Sequence, residues 1–275
     1  QRQVEEADRD RLLAEDNRIN IHLIPPARGL NMDRYGVLLA ENRSNYRVVM
    51  VRERAGDPEQ VLDALSRLIP LSQERINAVL QEARKRSAFV PVTVTDHLTW
   101  EEIARVAANA PALPGITTEV GLSRHYPYGE ATSHVVGYVG PVSERDLERN
   151  GDPDPLLQIP KFQIGKTGVE QRIEKDLRGS AGTSRIEVNA LGRVMRELGR
   201  SDGTSGKDLH LTINNDLQSY ALQRMEGQSA STVVMDVQSG DLLTLASAPS
   251  FDPNSFVFGI SVKDWNALLI NTYRP

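Results

Sequence analysis

Cysteine is absent from the 275 residues, which removes disulfides, thiolate nucleophiles and thiolate metal ligands in one step. Lysine is scarce, supplying six of the 32 basic residues, so an enzyme pairing serine with lysine must find its base among those six. No apolar run approaches the roughly 18–20 residues that span a bilayer. No signal peptide is visible, since the chain opens on the charged segment Gln1–Asp16 without an initiating methionine and reads as trimmed. The formal net charge is −5, with no basic stripe and no zinc-finger spacing, so a nucleic-acid partner is not expected.

What remains is ordinary globular material, 39% apolar and 25% charged, long enough for two domains. Gln1–Asn17 reads as a polar helix, and Arg18–Ile24 alternates as a strand ended by Pro25-Pro26. Arg34-Tyr35-Gly36 signals a turn before Val37–Ala40, and Tyr46–Val51 is a further strand. Helical spacing of apolar residues predicts helices over Pro58–Ile69 and Ser72–Arg86, with Ser72 and Arg75 forming half of a capping box. Val90–Thr95 is strand-like, Thr99 caps a short helix, and Ile116–Leu122 and Val135–Val139 suggest more strands. Gly151–Pro160 is a loop, Val169–Leu177 a short helix, and Thr183–Val188 with Arg193–Leu198 a hairpin. The Gly/Ser/Thr-rich stretch Asp202–Gly206 reads as the linker. Beyond it come strand Leu209–Ile213, a helix over Asn214–Met225 with Leu217, Ala221, Leu222 and Met225 inward, and strands Thr232–Val237 and Leu242–Ser247. These last two are nearly continuous apolar runs, expected to be buried on both faces. The residues after them are too few to cover both, so the second domain reads as incomplete.

Gly165-Lys166-Thr167-Gly168 admits two catalytic readings. A phosphate loop needs a glycine where Pro160 stands, and proline has no N–H to cradle a phosphate. The Lys-Thr-Gly of penicillin-recognising enzymes needs Ser-x-x-Lys and Ser-x-Asn upstream. The six lysines have Glu82, Gln158, Gln163, Arg172, Thr204 and Ile260 at that spacing, and no asparagine has serine two residues before it. Gly165 and Gly168 therefore read as shaping a turn into a helix, with Lys166 a solvated charge. Gly121–His125 begins like a hydrolase elbow but has His125 where the second glycine belongs. His22, His97, His125, His134 and His210 form no metal-spaced pair. The residues predict no catalytic group, no cofactor and no metal site.

Several stretches, in order, resemble the elongation-specific class B penicillin-binding proteins, the penicillin-binding protein 2 group. They are Asn20–Gly29 followed by Asp33–Ala40, then Arg124–Gly129 leading to His134–Gly140, then Gly165–Glu170. The tail, Leu209–Ile213 and Val233–Asp236 through Ala248–Asn254, resembles the opening of that family's transpeptidase domain. The resemblance implies an α+β fold: an elongated β-rich pedestal of dimerisation type over 18–206, with a helical subdomain inserted near 57–110. Residues 1–17 would be a juxtamembrane helix, and 207–275 the start of an incomplete α/β transpeptidase domain. It implies a serine-type D-Ala-D-Ala transpeptidase that cross-links peptidoglycan stem peptides, on the periplasmic side of a bacterial inner membrane, with this chain alone inactive. The anchor would be an N-terminal helix not present here. The implied partners are a SEDS-family glycan polymerase of the RodA type and an MreC-type scaffold; the alternative is a non-catalytic docking module of an envelope complex. Arg28, Asp33, Arg34, Arg124, Tyr126 and Glu170 become candidates for partner or interdomain contacts. Equally, the charges among them could pin the pedestal's own strands together.

Overall fold

The computed structural model describes residues 19–150, 154–159, 162–188 and 194–272. The expected helix over Gln1–Asn17, and residues 151–153 and 160 of the loop expected over Gly151–Pro160, lie outside the described residues. In chain order come β1 (Ile19–Ile24), β2 (Asn31–Met32), β3 (Leu38–Met50), α1 (Arg52–Ala55), α2 (Pro58–Ser66) and α3 (Gln73–Lys85). Next are β4 (Val92–Leu98), α4 (Trp100–Ala108), β5 (Ile116–His125), α5 (Ser133–Val136), β6 (Val139–Pro141) and α6 (Glu144–Asn150). Then follow β7 (Gln163–Gly165), α7 (Gly168–Arg172), α8 (Glu174–Arg178), β8 (Gly182–Val188) and β9 (Val194–Ser201). The chain closes with β10 (Leu209–His210), α9 (Asn215–Arg224), β11 (Ala230–Met235), β12 (Leu242–Ala248) and α10 (Val262–Ile270). The mixture of helices and mostly antiparallel strands is the α+β class expected.

The chain divides into two compact units. One comprises residues 1–42, 124–187 and 196–275; the other comprises 43–123 with 188–195. In the second, β4 pairs antiparallel with β3, from Tyr46↔Leu98 to Met50↔Val92. Helices α2, α3 and α4 lay Val61, Leu62, Leu65, Ile76, Val79, Ile103 and Val106 onto the sheet face carrying Val48, Met50, Val92 and Val94. Each start has a local cause: Asp57 accepts from the Glu59 and Gln60 amides, Ser72 from Arg75, and Thr99 with Glu102 closes a full capping box. Arg75 reaches from α3 to the carbonyls of Thr93 and Val94 at 2.9 and 2.7 Å, satisfying acceptors on β4.

In the first unit, β1 pairs with β8 from Ile19↔Glu187 to Ile24↔Gly182, and β8 carries β9 on its other side. Strand β2 lies between β3 and β10, antiparallel to the first and parallel to the second. A compact core of Leu39, Ala40, Tyr126, Val136, Val139 and Val257 sits beneath.

Several expectations change. Val135–Val136 is helical, within α5, and the strand begins only at Val139; a short apolar run does not fix its own period. Gly137, at φ +77°, ends that helix. The Val169–Leu177 helix breaks into α7 and α8 at Ile173. The Asp202–Gly206 stretch is tied down at two points: Thr204 and Ser180 exchange both backbone bonds, and the Gly206 amide donates to the Ala27 carbonyl at 2.9 Å. In α9 the innermost side chain is Gln218, whose amide donates to the Leu245 and Ala131 carbonyls and accepts from the Leu245 N–H. Strands β11 and β12 are covered by α9 on one face only, and Val233, Met235 and Leu245 are exposed.

Candidate functional site

Three of the residues singled out from sequence, Arg28, Arg124 and Glu170, meet in the first unit around one carboxylate. Glu170 stands on α7 with its side chain fully buried. Its Oε2 accepts from Arg28 Nε at 2.7 Å, and its Oε1 accepts from Arg124 Nε at 2.8 Å and from Asn31 Nδ2 at 3.1 Å. Arg28 Nη2 continues to Glu174 Oε2 at 2.6 Å, and the same oxygen accepts the Gly165 amide at 2.7 Å. Asn42 links the two arginines from the side, accepting from Arg124 Nη1 at 3.2 Å and donating to the Arg28 carbonyl at 2.6 Å.

Local sequence explains how Glu170 is delivered. A Cβ on Gly165 would stand 1.9 Å from the Glu170 carbonyl oxygen, so only glycine lets β7 pass that close to α7. Gly168 opens the helix at φ +59°. The Arg28 guanidinium feels burial, which lowers its pKa, but Glu170 and Glu174 outweigh that and hold it above the ordinary arginine value. The arrangement is a charge-assisted clamp joining the segments at 28–31, 42, 124 and 170–174. Both oxygens of Glu170 are committed to these donors.

The other candidates are placed differently. Asp33 is buried and shapes its own turn: Oδ1 accepts the amides of Tyr35 and Val37 at 2.7 and 2.9 Å. Its Oδ2 accepts the Asn215 amide at 3.2 Å, capping the first turn of α9. Arg34 and Tyr35 are exposed at the turn's tip, the guanidinium 5.6 Å from the ring centre. Tyr126 is buried and its hydroxyl accepts the Val139 amide at 2.8 Å. Burial, then the Glu170 charge, pushes its phenol above the usual range. Arg28, Arg124 and Glu170 thus meet directly, whereas Asp33, Arg34 and Tyr126 occupy separate positions.

Lys166 is not the solvated charge expected from its neighbours. Its side chain is largely buried and pairs with Asp146 of α6. Burial pushes the Asp146 carboxyl up, but hydrogen bonds from Lys166 and Ser143 outweigh it and leave the pKa below the ordinary aspartate value. Sequence reasoning also missed Asn31, Asn42 and Glu174. The spacing Glu170, Glu174, Arg178 at successive fourths was the available signal, and Arg178 does lie 3.7 Å from Glu174. Among the described residues, no group of three or more His, Asp or Glu is arranged to hold a metal, and no helix is long and apolar enough to cross a membrane.

Known proteins agree with this architecture. Residues 23–211 match the Penicillin-binding Protein dimerisation domain family. The peptidoglycan D,D-transpeptidase MrdA of Escherichia coli K12 is 38% identical over 263 residues, covering 95% of this chain and 42% of that protein. Penicillin-binding protein 3 of Bacillus subtilis is 33% identical over 265 residues, covering 96% of this chain and 38% of its own. A solved complex between penicillin-binding protein 2 and MreC from Helicobacter pylori superimposes with a TM-score of 0.76 at 27% identity, over 94% of this chain and 48% of that one. The chain therefore spans about two fifths of the curated relatives it matches. On the match across residues 23–211, the chain belongs to the penicillin-binding protein dimerisation domain family.

Proposed function

We propose that this chain is the pedestal of a peptidoglycan D,D-transpeptidase of the elongation type, together with the opening of its catalytic domain. The observation that carries the reading is the superposition on penicillin-binding protein 2 at a TM-score of 0.76 over 94% of the chain, in a complex that holds MreC. In this reading residues 18–206 form the pedestal, 207–275 open the transpeptidase domain, and the protein works on the periplasmic side of an inner membrane. The reaction is serine acyl transfer onto a stem-peptide amine, carried by a nucleophile that these 275 residues do not supply, since none of the six lysines has serine three positions before it.

The pedestal's task is to hold a shape that partners can read. The clamp of Arg28, Glu170 and Arg124 supports this by tying distant segments together, and the capping carboxylate of Asp33 supports it by fixing α9. Arg34, exposed at its turn, is the proposed contact residue for a partner. The proposed partners are an MreC-type scaffold and a SEDS-family glycan polymerase of the RodA type. The soluble part of an MreC-type protein from the same cell, titrated against this chain in a biosensor, tests the docking half. A saturable isotherm weakened by Arg34→Glu is expected. A folded chain that shows no binding overturns it.

A further inference from the structure

The passage from residue 202 to residue 215 has the composition of a linker and the bonding of a joint. A Gly/Ser/Thr-rich tether without partners behaves as a flexible coil. Here residues 27–34 run alongside residues 206–215 and are bonded to them along their length. The Gly206 amide donates to the Ala27 carbonyl at 2.9 Å, Leu209 to Leu30 at 2.8 Å and Leu211 to Met32 at 2.8 Å. Arg34 returns a bond to the Ile213 carbonyl at 3.0 Å, and the parallel pairing of β10 with β2 lies between. Two carboxylates add to the ladder: Asp208 Oδ1 accepts the Leu30 amide at 2.7 Å, and Asp33 Oδ2 accepts the Asn215 amide at 3.2 Å. A third segment, the end of α8, is tied to both. Its Asp176 and Leu177 carbonyls, which a helix end leaves without intrahelical partners, accept the Lys207 and Gly29 amides at 2.9 and 2.8 Å. A Cβ on Gly206 would fall on the Leu177 carbonyl, and one on Gly29 on the Lys207 carbonyl, so the three segments cross in backbone contact.

Two buried side chains carry the joint outward. Asn31, fully buried on β2, donates its side-chain amide to Glu170 of the clamp. Gln218, one turn after Asn215 in α9, holds the carbonyls of Ala131 and Leu245. We infer that residues 27–34, 170–178 and 206–218 form one rigid joint that opens and closes as a unit, with Asp33 the positioning residue that sets α9 on it. Sliding one segment past another must break these hydrogen bonds together, so intermediate positions are unfavourable. The functional meaning rests on reading residues 207–275 as the opening of the catalytic domain. In that reading a partner that displaces the pedestal near Arg28 also displaces the first helix of the catalytic part, because the intervening residues are bonded in place.

Backbone hydrogen exchange, read by mass spectrometry on the full 275-residue chain, tests the joint without calling on activity, so its result is independent of whether the full gene product is a transpeptidase. Glu170→Ala, made in the clamp, is expected to lower protection at least about a hundredfold in residues 170–174. The same factor is expected in Gln218–Leu222 of α9, while α2, α3 and α4 keep the parent's protection. Asp33→Asn starts from the other end. Its carbonyl oxygen keeps the amides of Tyr35 and Val37, and its NH2 confronts the Asn215 amide. A loss of at least about tenfold is expected in α9 and equally in residues 171–177, because coupling between two sites is reciprocal. Should Glu170→Ala fail to fold, Asp33→Asn carries the test alone. A loss confined to residues 170–174 in the first variant, or to α9 in the second, overturns the inference. So does a loss that spreads equally into α2, α3 and α4, because the chain would then open only as a whole.

Discussion

Replacing Glu170 with alanine leaves two guanidinium groups facing a space that held their shared anion. The carboxylate is fully buried, Arg124 is 1% exposed at its side chain and Arg28 11%, so water cannot replace the lost partner cheaply. Breaking a buried ion pair by deleting one member costs about 3–5 kcal/mol, because the remaining charge stays desolvated. At about 2–4 °C per kcal/mol for a body of this size, the melting temperature falls by roughly 6–20 °C. Glu170→Gln does not rescue the site. Oε2 serves Arg28 while Oε1 serves Arg124 and Asn31, so either orientation of the amide sets its NH2 against a donor. That variant loses at least about 2 kcal/mol, the scale of a hydrogen bond to a charged group together with a stranded donor. The assay is denaturant unfolding followed by circular dichroism, with Arg67→Ala as control. Arg67 pairs with Asp63 at 75% and 64% side-chain exposure, and its loss costs under about 1 kcal/mol. A Glu170→Ala protein within about 1 kcal/mol of the parent refutes the clamp as the element that holds these segments together.

Acid should act through Asp146. Its folded pKa lies below the ordinary value of 3.8, so its contribution is present above that value and fades as pH falls through the lower folded pKa. Lys166→Met removes the hydrogen bond that depresses it, so the variant's stability falls less steeply than the parent's below about pH 4, in melts across pH 2–6. Equal slopes would mean the pair is not formed in solution. Gly165→Ala forces a methyl group to within 1.9 Å of the Glu170 carbonyl oxygen, whereas Gly36→Ala meets only its positive φ, with nothing within 4 Å. The first change should cost several kcal/mol and the second about 1–2 kcal/mol, compared in parallel melts; the reverse ranking would misplace β7.

How much of this was legible beforehand depended on how local its cause was. The helices α2, α3 and α4 announce themselves through apolar spacing and through Asp57, Ser72 and Thr99, because caps and amphipathic faces are decided within a few residues. The Val135-Val136 pair misled because two apolar residues carry no period, and what ends that helix is a close backbone passage between Gly137 and Gly168. Burial of Gln218 was invisible for the same reason: its partners, Ala131 and Leu245, are distant in sequence. The clamp is the extreme case. Arg28 and Glu170 are separated by 142 positions, and no spacing rule joins them. They entered the candidate list only through a family resemblance, while Asn31, Asn42 and Glu174, which complete the clamp, did not enter it.

The most direct measurement is covalent labelling with a fluorescent penicillin, run on this chain and on the full product of its gene. The account predicts that the full product labels and that this chain, lacking a serine three residues before any lysine, stays dark. Labelling of the 275-residue chain itself would place a nucleophile where none is assigned, and a full product that fails to label would contradict the transpeptidase reading.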